Sequence, residues 1–395
     1  MLKMAAAIER LSVENAFTVL ARAGALAAQG RSVINLGIGQ PDFQTPPHVV
    51  EAAVKALRDG HHGYTPAAGI APLRAAVAAD VSRRLDVDLS PDRVLIVPGG
   101  KVTIVFAVLM FGEPGAEILY PDPGFPPYRS LIDYSGAKAV AIPHREANGF
   151  AFSAEEVLSR ITPATRLIIL NSPSNPTGGV TPRREVEQLV AGLAAHPQVA
   201  VLSDEIYGQM LYDGQDHVSL LQFPEIRERV ILLDGWSKTY AMTGWRLGFG
   251  VWPKALVKAA ETLAINTHSC VNAATQYAGI AALTGPQDAV RDMVAAFDAR
   301  RRATVEALNA LPGVNCATPG GAFYAFPNIA GTGWQDKALA DALLEEAGVA
   351  LLAGAGFGDF GKGFLRVSYA NSRENILEAV ERMKAFLAQN QAPAA

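Results

Sequence analysis

The chain has 395 residues, 34 Lys+Arg against 38 Asp+Glu and a net charge of −4, which excludes a strongly basic nucleic-acid binder as the leading reading. Half of the residues are hydrophobic and only 18% are charged, so a sizeable core is available and some surface is expected to lie under a partner subunit. The two cysteines, Cys270 and Cys316, make neither a disulfide framework nor a four-cysteine zinc site and fit a reducing compartment.

The first residues carry an apolar patch broken by Glu9 and Arg10, without the apolar core of a signal peptide. Residues 16–29 read as a helix with Phe17, Val19, Leu20 and Leu26 on its apolar side, expected to pack on a second domain. Short aliphatic runs then alternate with helical patterns. Strands are expected at 93–97, 116–120, 166–170, 199–203, 230–234 and 247–251, and helices at 102–111, 126–134, 154–160 and 182–195. The strands are continuous apolar runs, as in strands covered on both faces, so the pattern implies an α/β domain with a mostly parallel sheet. The run 102–111 is the longest apolar stretch and falls short of the about 20 residues that span a bilayer. A cytoplasmic protein without membrane or nucleic-acid partners is expected.

After about residue 270 the pattern changes. Residues 271–311 read mainly as helix, broken near Gly285-Pro286. Short strands at 314–316 and 322–327, a helix at 335–346, a strand at 364–368 and a helix at 374–388 complete an α+β unit. Residues 389–395 read as a frayed tail.

In open α/β sheets ligands sit beyond the carboxyl ends of the strands. Four groups stand at such ends. Gly99-Gly100 opens a helix, which is either an anion site or an ordinary turn. Lys238 is either a surface lysine or, partly desolvated, an amine able to condense with an aldehyde. Arg246 offers a fork for an anion, and Asp204 is either a solvated carboxylate or the partner of a cation. Together they match the needs of pyridoxal phosphate: a lysine for its aldehyde, a phosphate cradle and a carboxylate for its ring nitrogen.

Six segments carry a resemblance: Asn35-Leu36-Gly37-Ile38-Gly39-Gln40-Pro41-Asp42-Phe43; Tyr64-Thr65-Pro66 with Gly69 and Leu73-Arg74; Ser174-Asn175-Pro176-Thr177-Gly178; Asp204-Glu205-Ile206-Tyr207; Ser237-Lys238-Thr239-Tyr240 with Gly244-Trp245-Arg246-Leu247-Gly248; and Phe364-Leu365-Arg366-Val367-Ser368. In this order and spacing the chain resembles the fold-type I pyridoxal phosphate enzymes, specifically the class I/II aminotransferases that include aspartate aminotransferases. The resemblance covers about residues 33–382. It implies a large α/β domain with a mostly parallel sheet flanked by helices at 45–285, and an N-terminal arm plus a small α+β domain in 1–44 and 286–395.

The resemblance also implies roles. Lys238 corresponds to the lysine that holds the cofactor aldehyde and then moves the α-proton, Asp204 to the partner of the ring nitrogen, and Asn175 and Tyr207 to donors to the ring 3-oxygen. Gly99, Gly100 and Lys101 at the helix start, with Arg246, correspond to the phosphate cradle, and Phe125 to the aromatic stacked on the ring. Arg366 is similar to the fork for the substrate α-carboxylate, aided by Gly39 and Asn175. Tyr64 corresponds to a residue given to the neighbouring subunit's phosphate in a homodimer. Pro123 and Pro176 stand where the family tends to have cis peptides.

Departures accompany the match. Gly235 stands where many relatives carry Ser or Thr for the phosphate, with Ser237 as a candidate substitute. Ala353 replaces a proline before Gly354, and Phe125 replaces a tryptophan. Lys101 is either near the distal carboxylate of an acidic substrate or a solvent-facing lysine. The implied reaction moves the amino group of an L-amino acid to a 2-oxo acid, 2-oxoglutarate or pyruvate. The donor is left between aspartate and a neutral or aromatic set. The alternative on the same fold is a β-lyase of the cysteine-conjugate type. Three other readings are weaker. Gly354-Ala355-Gly356-Phe357-Gly358 lacks the last glycine of a dinucleotide loop, because Asp359 stands there. Ser237-Lys238 as a hydrolase pair would have its side chains pointing apart on an extended segment. The seven histidines show no metal-ligand spacing.

Overall fold

In the computed structural model, which describes residues 2–13 and 15–392, the apolar runs become the centre of one large sheet. Helix α1 (Asn15–Ala28) and the short strand β1 (Ile34–Asn35) come first. Helices α2 (Pro47–Arg58) and α3 (Ala71–Leu85) follow, and neither is among the elements expected from the sequence. Pro47 and Pro72 each fall in a first helical turn, where a missing N–H is harmless.

Then come β2 (Val94–Val97), α4 (Lys101–Phe111), β3 (Glu117–Asp122), α5 (Pro127–Ser135) and β4 (Lys138–Pro143). They are followed by α6 (Ala154–Leu158), β5 (Thr165–Asn171), α7 (Arg183–Leu193), β6 (Ala200–Asp204) and β7 (Val230–Gly235). The single turn α8 (Trp236–Thr239) and β8 (Gly248–Val251) close the series. These seven strands lie in the order β2-β8-β7-β6-β5-β3-β4. Strand β8 runs antiparallel to both neighbours, and the other pairings are parallel.

The two-residue period of a strand splits each run between two cores. Ile168, Leu170, Val230 and Leu232 face one helical layer with Leu73, Val77 and Leu189. Leu167, Ile169, Ile231 and Leu233 face the other, with Phe106, Tyr128 and Ala260. Helix α4, apolar after Lys101 apart from Thr103, packs its buried side with Ile104, Phe106 and Ala107 on this second face and leaves Leu109 exposed.

The rest of the chain holds α9 (Lys254–Thr267), α10 (Ala273–Thr284), α11 (Asp288–Asn309), β9 (Tyr324–Ala325) and α12 (Asp336–Ala342). After these come β10 (Val349–Ala350), β11 (Leu352–Ala353), β12 (Leu365–Ser368) and α13 (Arg373–Gln389). Strands β11, β12 and β9 make a three-stranded antiparallel sheet, and β1 pairs with β10. A separate core with Phe297, Phe323, Leu343, Val367 and Ile376 holds this unit together. Helix α1 packs on it through Ala23 and Leu26, with Val19 beside them, against Leu344 and Ala350, while Phe17 and Leu20 of the expected apolar side are exposed. Arg22 adds hydrogen bonds to Asp341 and, at 2.8 Å, to Glu345.

Two expectations are corrected. The strand at 314–316 is a single bridge, Asn315 to Asn328, and Pro319 and Gly320-Gly321 turn the chain before a ladder forms. The helix at 335–346 stays α-helical only to Ala342 and continues as a π-turn over Leu343–Ala347, closed by Gly348 at φ 66°. Of the tail at 389–395, residues 393–395 lie outside the described residues. Among the described residues no helix is long and apolar enough to cross a membrane.

Candidate active site

The strands of the large sheet are apolar along their length and polar where they end. Those ends open onto a cavity of about 460 Å³. Asn175 reaches it from the loop after β5, Asp204 from the end of β6, Tyr207 from the turn after it, and Ser237, Lys238 and Arg246 from the segment after β7. Gly100, Lys101 and Phe125 line the neighbouring wall, and Gly39 and Arg366 the side made by β1 and β12. Two expected residues are not on its surface. Gly99 lies just behind it, under the Arg246 guanidinium. Tyr64 is 95% exposed and borders a separate hollow with His61 and His62.

Asp204 is 5% exposed. Its Oδ2 accepts from the Tyr128 hydroxyl at 2.7 Å and its Oδ1 from the Ile206 amide at 3.2 Å. Burial raises its pKa to about 6, against the lowering by those two bonds. Burial also keeps the Tyr128 phenol well above its ordinary range, so Tyr128 is a fixed donor. The carboxylate is therefore poised to gain from a cation placed before it.

Lys238 sits on the one-turn helix α8, not on an extended segment as expected, since the chain turns directly after β7. Its Nζ donates to the Gly39 carbonyl at 2.5 Å and lies 5.8 Å from the Phe323 ring centroid. Tyr207 and Tyr324 share a hydroxyl–hydroxyl bond of 2.8 Å, and burial holds the Tyr207 phenol well above its usual pKa. Gly39 has to be glycine, since a Cβ there would overlap the Tyr324 hydroxyl. Gly235 has the same kind of cause: a Cβ would come 2.8 Å from the Cα of Gly248 on β8. The missing hydroxyl at 235 is thus a consequence of close strand packing.

Arg366 is 3% exposed on β12. Its Nη1 donates to Asn175 Oδ1 at 2.9 Å and its Nη2 to the Gly37 carbonyl at 2.5 Å. Its guanidinium lies 4.6 Å from the Tyr324 ring centroid and 4.9 Å from that of Phe357. Asn175 is held in turn by Asn171, whose Oδ1 accepts the Asn175 amide at 2.9 Å. The Asn171 Nδ2 donates to the Asp204 carbonyl at 3.0 Å, so one side chain fixes two site residues.

At the other end of the cavity Gly99, at φ 89°, turns the chain into α4. The first amides of a helix lack partners within it and favour an anion. A Cβ at Gly99 would strike Arg246, and one at Gly248 would strike the Gly100 amide, so these glycines let a cation, a helix start and a strand approach one another. Phe125 packs edge-on to Tyr128 at 5.6 Å, and the Lys101 Nζ lies 5.1 Å from its ring centroid. The peptide bonds before Pro123, Pro173 and Pro176 are cis. An anion cradle, an aromatic wall, a buried carboxylate and a lysine amine around one cavity fit pyridoxal phosphate.

Tyr324, Tyr128 and Asn171 are the site residues that sequence reasoning left without a role. Their signals were faint: an aromatic strand after Gly320-Gly321, an aromatic three places after Phe125, and the first polar residue after an apolar run.

A family model described as aminotransferase class I and II matches residues 31–383. The chain is 38% identical to the aspartate aminotransferase of Geobacillus stearothermophilus, over 98% of this chain and 99% of that protein. The crystal structure of an aspartate aminotransferase from Rhizobium meliloti superposes with a TM-score of 0.93 at 35% identity, covering 98% of this chain and 99% of that one. An aromatic aminotransferase from Pyrococcus horikoshii superposes with a TM-score of 0.88 at 34% identity, covering 93% and 99%.

Proposed function

The chain belongs to the class I and II aminotransferases and is a pyridoxal phosphate-dependent transaminase, and we propose that it moves the amino group of an L-amino acid to 2-oxoglutarate or pyruvate in two alternating half-reactions. The observation that carries the proposal is the meeting of the Lys238 amine, the Asp204 carboxylate and the Arg366 fork around one cavity. Nothing in the cavity or in the relatives favours the β-lyase alternative.

When bound, pyridoxal phosphate supplies an aldehyde for the substrate amine and a cationic ring that draws electrons from the α-carbon. Lys238 would hold that aldehyde, and its amine stands in the cavity where it could move the proton of the α-carbon. Asp204 would keep the ring nitrogen protonated. Asn175 and Tyr207 would donate to the ring 3-oxygen, and Phe125 would cover the ring. The amides at Gly100 and Lys101, the Arg246 guanidinium and the Ser237 hydroxyl would take the phosphate, while the Gly99 amide is already used on the Val97 carbonyl at 2.8 Å. Arg366, with Asn175 and the Gly39 backbone, holds the α-carboxylate in plane and so orients the Cα–H bond.

Beyond the α-carbon the cavity offers one cation, Lys101, and an apolar wall of Ala16, Phe17 and Ile38. The donor set we propose accordingly spans aspartate, through Lys101, and neutral or aromatic amino acids, through that wall. The full exposure of Tyr64 supports a homodimer in which it reaches the phosphate of the neighbouring copy. The two cores of the large sheet and the separate third core support a large domain at 45–285 and a small one built from 1–44 and 286–395. A cytoplasmic location is proposed from the two free cysteines.

The test is visible absorbance of the holoenzyme with single L-amino acids and no oxo acid. The yellow band of the resting enzyme should give way to the stable near-ultraviolet band of pyridoxamine phosphate, ranking donors by the concentration needed. Persistence of the band, or release of ammonia and pyruvate, would refute amino transfer.

Arg366→Ala should raise KM for the amino acid and the oxo acid alike, by about 10²–10³-fold, since truncating a buried charged pair costs about 2–5 kcal/mol. Arg366→Lys keeps the charge without the fork and should fall between. An unchanged KM in steady-state assays of Arg366→Ala would remove Arg366 from carboxylate binding.

A further inference from the structure

Asp122 ends β3 and is 1% exposed. Nothing in the reaction described above uses it. Its carboxylate faces the backbone of a distant segment: Oδ2 accepts the Asp359 amide at 3.1 Å and Oδ1 the Phe360 amide at 3.0 Å. Next to it the Gly124 amide donates to the Phe357 carbonyl at 2.9 Å. Gly358, at φ 136°, makes room for the contact, because a Cβ there would overlap the Asp122 carboxylate. The far end of the segment is fixed separately, by the Ala355 amide donating to the buried Asp336 at 2.6 Å.

Each side of this junction carries a site residue. Three residues after Asp122 stands Phe125, on the cavity wall. Two residues before Asp359 stands Phe357, whose ring lies 4.9 Å from the Arg366 guanidinium. The segment 357–360 belongs to the unit that supplies Arg366, while Asp122 belongs to the large sheet. The carboxylate is thus the joint between the wall for the cofactor ring and the wall for the substrate carboxylate.

We propose that Asp122 is a positioning residue that sets Phe125 and Phe357 relative to one another and so couples cofactor binding to α-carboxylate binding. The inference rests on the roles of Phe125 and Arg366 given under the proposed function. A carboxylate suits the task because it accepts two amides at once, with charge-assisted bonds about twice as strong as neutral ones. An amide side chain offers one oxygen, and its NH2 would face an N–H donor.

Asp122→Asn conserves volume and tests this in the holoenzyme. KM for the amino acid should rise about tenfold, the effect of losing one hydrogen bond to a charged group, with kcat changed by less than about threefold. The dissociation constant of pyridoxal phosphate, measured by titrating the apoenzyme through quenching of tryptophan fluorescence, should rise with it. Phe357→Ala alone should raise KM and leave that dissociation constant in place. Added to Asp122→Asn it should raise KM by less than it does alone, because residues acting as one unit are non-additive. Gly358→Ala, which pushes a methyl into the carboxylate from the other side, should reproduce the Asp122→Asn pattern.

A lowered melting temperature with both constants unchanged in Asp122→Asn and Gly358→Ala would overturn the proposal. So would strict additivity of Asp122→Asn with Phe357→Ala. Arg366→Ala separates the two levels. If it raises KM while the Asp122 and Gly358 variants do not, only the positioning role fails. If Arg366→Ala leaves KM unchanged, the reading of the substrate site fails first.

Discussion

Lys238→Ala should lose turnover by about 10⁴-fold or more in steady-state assays of any donor. Positioned proton transfer alone is worth about 10²–10⁴-fold, and this variant also loses the amine that holds the cofactor. The surroundings of Lys238 argue for a function rather than a surface lysine. It stands on a one-turn helix at a strand end, is half-buried, and donates to the Gly39 carbonyl at 2.5 Å. Gly39, Tyr324 and Arg366 line the same cavity, so the amine shares it with the fork proposed for the substrate carboxylate. Borohydride treatment of the wild-type holoenzyme should fix the cofactor mass on the peptide that contains Lys238, and the Ala variant should show no such adduct. Appreciable turnover in the variant, or an adduct on another lysine, would sink the assignment. A thermal melt close to wild type is expected, because removing a half-buried amine leaves the sheet and both of its cores intact.

The parts of the fold that were legible in the sequence share a physical property. Runs such as Leu167–Leu170 and Val230–Leu233 are apolar at every position because both faces of the sheet are covered. Strand β4, one of the two sheet edges, escaped because it is only half covered, with Lys138 exposed and Ala139, Val140 and Ala141 partly buried, whereas the other edge, β2, is buried at every position. Alanines on a half-covered edge carry little strand signal. The site divides in the same way. Residues at strand ends, Asp204 and Lys238 among them, were legible because the sheet gathers its carboxyl ends on one rim. What escaped are partners set by tertiary packing. Tyr128 meets Asp204 across 76 residues of sequence, Tyr207 meets Tyr324 across 117, and Asp122 meets Phe360 across 238. No local period encodes such pairs. Gly235 shows the converse: its local motif reads as a lost phosphate ligand, while its cause lies in the neighbouring strand.

Asp204→Ala should lower kcat by about 10²–10³-fold, the effect of removing one preorganised charge partner in a dry site. It should also weaken reconstitution of the apoenzyme by pyridoxal phosphate, since an uncompensated buried charge costs about 3–5 kcal/mol. The pH dependence gives the sharper test. Burial lifts the Asp204 carboxyl from 3.8 to about 6. In the folded apoprotein it therefore holds its proton at a pH where the unfolded chain has released it. The contribution of Asp204 to stability accordingly falls as pH rises from about 4 to about 6, and above that it stays a constant penalty. A protonated ring nitrogen reverses this, because a cation favours the carboxylate form. Cofactor affinity should then be flat above pH 6 and weaken by up to about tenfold per unit below it, as binding has to expel the Asp204 proton. Asp204→Asn cannot ionise and should flatten the profile at the weaker level. Tyr128→Phe, which deletes the 2.7 Å donor, should move the bend of the profile to higher pH. Equilibrium titration of the apoenzyme between pH 5 and pH 8 reads all three. A wild-type profile without a bend near pH 6 would leave Asp204 as a buried structural acid, and the ring nitrogen would need another partner.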